Sequence, residues 1–134
     1  MFLEMLNDEQ KDLFMNLAIR AAEANDEVED SEVEMLRQFA VEMGLEPRTS
    51  TDMDVDEILK RLKEVCGVTE RRIILFELIG IMFSDRLYDD REKEFLLDVT
   101  RRMELPETIL QEMTSLVEKY MILYNDIFNI VIRA

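Results

Sequence analysis

Carboxylates are the side chains through which this chain could do chemistry, and they crowd into two places. Seven of them lie between Glu23 and Glu34, with no basic residue among them. The stretch from Asn25 to Leu36 then returns, altered, from Asp85 to Leu96. At that sixty-residue offset Asn25 meets Asp85, Asp30 meets Asp90, Glu32 meets Glu92, Glu34 meets Glu94 and Leu36 meets Leu96. The register continues to Met43 with Met103 and Leu45 with Leu105. Such internal similarity marks one structural unit used twice. Oxygen-rich turns suit hard divalent cations such as calcium or magnesium. If the two turns adjoin, Asn25, Glu32, Asp85 and Glu92 form a candidate metal ligand set, in which Asn25 offers only a neutral carbonyl oxygen. The plainer reading is helix capping. Glu32 and Glu92 fall at the third position of a helix, where a carboxylate satisfies an exposed amide and meets the positive end of the helix dipole, worth about 0.3–1 kcal/mol.

Other chemistries fail on residue type. An EF-hand loop begun at Asp26 has Val28 third and Ser31, not glycine, sixth; one begun at Asp85 has Leu87 third. With one cysteine, Cys66, and no histidine, zinc-finger sites are excluded. Cys66 also lacks the usual base for a nucleophilic thiolate, so it reads as a small apolar residue in a turn between helices. Gly44, Gly67 and Gly80 are scattered and make no phosphate-binding loop. Carboxylates are abundant, but nothing in the sequence sets two of them in an apolar pocket as acid and base. The reading is of a non-enzymatic protein with no catalytic residues.

Charge narrows the partners. With 31 acidic against 16 basic residues, the net charge is −15, which repels nucleic acid and anionic lipid and favours cations or a basic protein surface. A chain of 134 residues, 48% apolar and with only three Gly and two Pro, fits one helical domain spanning 1–134. The lone cysteine suits a reducing compartment, and the first residues show neither a basic leader nor an apolar run, so a cytoplasmic location is expected.

The elements that must position these residues are helices throughout. Asn7 and Gln10 form a capping box ahead of an apolar stripe of Leu13, Phe14, Leu17, Ala18, Ala21 and Ala22, ending near Glu23–Asn25. Met35, Leu36, Phe39, Ala40 and Met43 make the next stripe, closed by Gly44 and Pro47. Residues 48–53 form a polar linker, the place where local mobility is expected. Asp54 and Glu57 predict a second capping box, before Ile58, Leu59, Leu62 and Val65. Thr69 is the expected cap of a helix to Phe83 that is apolar on nearly every side and therefore buried at the centre. Asp89 and Glu92 form a third box, leading to Phe95, Leu96, Val99 and Met103. Pro106 opens a last helix through Tyr120. Beyond it, the apolar stretch from Met121 to Ile132 is too short for a comfortable membrane span. It is expected to pack back onto the core; the other reading is a self-association surface that makes a homodimer.

In these residues the chain resembles the TerB-like family, associated with tellurite resistance and also found as the N-terminal domain of the DjlA co-chaperone. That family has two helical halves, each with an Asp-Gly turn, a helix opening on one or two Glu, and an end near Gly-Leu. The matching residues here are Ala22, Asn25, Asp26, Val28, Glu32, Leu36 and Gly44-Leu45, then Asp85, Tyr88, Glu92, Leu96, Met103 and Leu105. The resemblance runs from about Asp12 to Leu105, with an internal repeat at about 12–46 and 72–106. It implies an all-α bundle of six or seven helices, two pseudo-symmetric halves around the buried central helix. It further implies that Asn25, Glu32, Asp85 and Glu92 are the family's recurrent polar positions, and a role binding divalent cations or a basic partner in metal or envelope stress. The chain departs from the pattern where Asn25 replaces an Asp and where Asp26 and Arg86 replace the turn glycine. Arginine tolerates a left-handed turn poorly, so the second turn is expected to wind differently. The competing reading is a structural interaction module that uses the apolar C-terminal surface and has no metal site.

Overall fold

The computed structural model describes residues 1–25, 30–83 and 89–133, with the backbone alone at Asn25. Six helices follow in order: α1 (Asp8–Ala22), α2 (Asp30–Met43), α3 (Val55–Val65), α4 (Val68–Met82), α5 (Asp90–Arg102) and α6 (Glu107–Val131). Short 3-10 turns at Leu3–Met5 and Glu23–Asn25 flank α1, and no strand occurs among the described residues. The all-helical bundle follows from the apolar stripes; two of the helices are buried on most sides.

Capping decides where the helices begin. Asn7 Oδ1 accepts from the Gln10 N–H at 2.9 Å, and Gln10 Oε1 accepts from the Asn7 N–H at 2.9 Å. The reciprocal pair at Asp89 and Glu92 closes at 3.0 and 3.3 Å. At α3 only half the expected box forms. Asp54 accepts from the Asp56 N–H at 3.2 Å, while Glu57 turns to Arg61 at 3.0 Å. Thr69 is not the cap of α4. Gly67 takes that place, its N–H donating to Glu70 Oε1 at 2.9 Å, and the helix starts one residue before Thr69.

The ends of α2 and α5 share one hydrogen-bond pattern at the sixty-residue offset. Leu45 N–H donates to Ala40 O at 2.8 Å across Gly44, and Leu105 N–H donates to Thr100 O at 3.0 Å across Glu104. Gly44 has φ +71° and Glu104 has φ 57°. The left-handed turn costs glycine nothing but costs a side-chain-bearing residue about 1–2 kcal/mol. The Glu104 carboxylate meets Lys63 at 2.6 Å, tying that turn to the end of α3.

The centre is a pair of helices. α4 touches α1, α2, α5 and α6, and buries Ile73, Ile74, Leu75, Leu78, Ile79, Ile81 and Met82. α1 touches α2, α3 and α4, and is buried without a break from Leu13 to Ile19, more than its amphipathic stripe predicts. Asn16 lies inside this run. Its amide donates to Asp12 O at 3.0 Å, and its Oδ1 accepts from Thr51 Oγ1 at 2.6 Å. The linker expected to be mobile is therefore held: Arg20 also donates to Met53 O at 2.9 Å and Thr51 O at 3.2 Å. These buried or half-buried donors give the linker's carbonyls partners that a polar composition alone does not reveal.

The C-terminal stretch does not fold back. α6 runs unbroken for 25 residues, about 37 Å at 1.5 Å per residue, and only its first half lies on α4 and α5. Leu110 and Val117 are buried there, whereas every residue from Ile122 to Arg133 is exposed. No glycine or proline interrupts Glu107–Val131, so the helix continues past the edge of the bundle without a turn.

Candidate functional site

Of the four candidate ligands, the structure describes two side chains fully. Glu32 and Glu92 are the third residues of α2 and α5, and both are 0% exposed. Glu92 is half of the α5 capping box, so the capping role read from its spacing is present in the geometry. The Oε2 atoms of both glutamates are enclosed as well. α5 packs against the 3-10 turn Glu23–Asn25. Asp85, and the side chain of Asn25, lie outside the described residues, as do Asp26 and Arg86. Among the described residues, no group of three or more His, Cys, Asp or Glu side chains could hold a metal ion. Burying two carboxylates is costly unless the surroundings compensate each of them.

A second feature is apolar. Ten large side chains from Leu116 to Ile132, among them Tyr120, Leu123, Ile127 and Ile130, are between 37% and 73% exposed. Aromatic side chains such as Tyr120, Tyr124 and Phe128 offer about 150–250 Å² each, and the aliphatic ones less. Summed around the helix, their exposed area is on the order of 1,000 Å², where the largest single patch on a monomer is usually about 300–600 Å². Beside the root of this helix lies a groove of about 680 Å³, lined by Phe2, Phe39, Phe76, Phe83, Val117 and Met121 among others.

The N-terminal residues form one wall of the groove because two glutamates clamp them. Glu77, nearly buried on α4, accepts from the Phe2 N–H at 2.9 Å, and Glu42 accepts from the Leu3 N–H at 2.9 Å. The terminal ammonium lies 2.9 Å from Glu42 and 3.1 Å from Glu77. Partial burial pulls its pKa down, but hydrogen bonds and charge from the two glutamates outweigh that and raise it above 8.0. Phe2 then meets Phe76 edge-on, with ring centroids 5.8 Å apart. Sequence reasoning missed both the groove and the role of Glu77, because a lone Glu in an apolar helix carries no signal of its distant partner.

Two remaining features are occupied by structural roles. Burial, then the Glu70 charge, push the Cys66 thiol up to about 11 against a smaller opposing pull from Arg71, so it is a poor nucleophile. A depression of about 460 Å³ between α3 and α5 is edged by Lys60, Lys63, Arg101 and Arg102, and the last three already meet carboxylates: Glu104, Glu107 and Asp56 respectively. No helix among the described residues is long and apolar enough to cross a membrane. No protein-family model, no curated protein and no solved structure matches this chain.

Proposed function

We propose that this protein works by binding another protein rather than by catalysis, and that the contact surface is the apolar second half of α6 with the groove at its root. The observation that carries the reading is a helix whose first half is packed and whose second half, from Tyr120 to Val131, presents eight exposed large apolar side chains. Leaving such a surface in water forfeits hydrophobic stabilisation that a partner restores, at about 25 cal/mol per Å² buried. The test is cross-linking with mass spectrometry on the protein in cells and purified, beside a Leu123→Glu/Ile127→Glu variant. Wild type should give complexes that the variant loses, with unchanged helicity. Identical cross-links and mass for the two proteins refute the reading.

A second reading keeps the TerB-like resemblance: an acidic site for a divalent cation or basic partner, in a cytoplasmic protein of metal or envelope stress with two pseudo-symmetric halves. Its support is the full burial of Glu32 and Glu92 at matched positions of α2 and α5. Thermal melts with EDTA, then calcium, magnesium or manganese, test it. A saturable rise in midpoint that Asp85→Asn abolishes favours the site. An equal rise in KCl at matched ionic strength leaves only charge screening.

A further inference from the structure

The interaction reading leaves the occupant of the α6 surface open, and on that reading the geometry points to one: the end of α6 from a second copy, lying antiparallel and seated in the phenylalanine-lined groove. Three observations converge on it.

The first is spacing. Met113, Leu116, Tyr120, Leu123, Ile127 and Ile130 follow one another at alternating steps of three and four, the seam of a helix pair, and all but half-buried Met113 are exposed. Setting Tyr120 against Leu123 of the second copy also sets Leu116 against its Ile127 and Met113 against its Ile130. The end of the second helix then runs past Leu116 and Val117, which line the groove. Eighteen residues of each copy, Met113 to Ile130, are then covered along the seam.

The second is charge on the seam's flank. Lys119 and Asp126 lie one heptad apart on the same edge, both exposed, and neither makes an ion pair among the described residues. In the antiparallel register Lys119 of each copy comes within about 3 Å, measured along the axis, of Asp126 of the other, giving two symmetric ion pairs. A parallel pair would set Lys119 beside Tyr124 and Asp126 beside Val131, with no charge complement.

The third is the charge of the whole molecule. Each copy carries −15. Antiparallel pairing places the two bundles at opposite ends of the helix pair, about 28 Å apart along the axis, beyond the ~8 Å screening length of physiological salt. Parallel pairing would hold them side by side.

Sedimentation equilibrium on the full chain, with cysteine cross-linking, tests this. Wild type should dimerise reversibly. Lys119→Asp should weaken the dimer by roughly tenfold, and Lys119→Asp/Asp126→Lys should return it to within about threefold of wild type. Leu116→Cys mixed with Ile127→Cys should form a disulfide between unlike copies on oxidation, while each variant alone should not. Both substitutions sit on exposed positions, and circular dichroism checks that the fold is kept. Cross-links between like copies, or a charge swap that fails to rescue, overturn the antiparallel pair. A chain that stays monomeric at every concentration, or binds phosphatidylcholine vesicles instead, also overturns it. In the monomeric case, complexes with other proteins that still depend on Leu123 and Ile127 would leave the broader interaction reading standing.

Discussion

Asp89→Ala isolates what the second acidic turn contributes to stability. Asp89 accepts from the Glu92 N–H at 3.0 Å, and Glu92 Oε1 holds the Asp89 N–H at 3.3 Å. Alanine keeps the backbone but leaves a first-turn amide of α5 without its side-chain acceptor. Asp89 is exposed, so no cavity forms and the loss is the cap alone. Caps of this type are worth about 1–2 kcal/mol. With an unfolding entropy of about 2.1 cal/mol/K per residue over 134 residues, the midpoint should fall by about 4–7 °C. Asp89→Asn retains the acceptor and should stay within about 2 °C of wild type. The measurement is thermal unfolding by circular dichroism at neutral pH in EDTA, which removes any cation contribution. Glu92→Gln adds a separating arm, since glutamine can complete a capping box but is a poorer cation ligand. A cation-dependent rise present in wild type and missing in this variant would assign Glu92 a second role. An asparagine variant that falls as far as alanine, or an alanine variant that does not fall at all, refutes the capping argument.

Two further outcomes concern groups away from the acidic turns. Arg71 donates to three backbone carbonyls: Lys63 at 2.7 Å, Cys66 at 3.1 Å and Met103 at 3.1 Å, joining the end of α3 to the end of α5. Arg71→Met keeps the stem and should cost about 2–3 kcal/mol by chemical denaturation, with Arg71→Lys recovering only part because one ammonium cannot span the three acceptors. Cys66, its thiol pushed up to about 11, should react with Ellman's reagent at pH 8 roughly a hundredfold more slowly in the native protein than in urea, with the rate rising as pH climbs toward that value. Equal rates in the two states would show that burial does not protect it.

Local chemistry was legible in the chain from residue order alone. The boxes at Asn7–Gln10 and Asp89–Glu92 need only residues three apart, and they form as their spacing dictates. The apolar run from Ile73 to Phe83 required a buried helix, because no orientation of it leaves a polar face for water. The left-handed end at Gly44 follows from glycine's freedom, whereas the same turn at Glu104 is imposed by its surroundings. Features that depend on distant partners were decided by the tertiary structure. The 48–53 linker is held because Arg20 and Asn16, on α1, reach its backbone and Thr51. Glu77 turns from a polar interruption into an anchor because packing brings the N-terminal residues to it. The composition of Met121–Ile132 fits a packed segment and an exposed one equally well. Its fate turned on geometry: α6 is unbroken and longer than the face of α4 and α5 that it covers, so its apolar second half projects beyond the bundle.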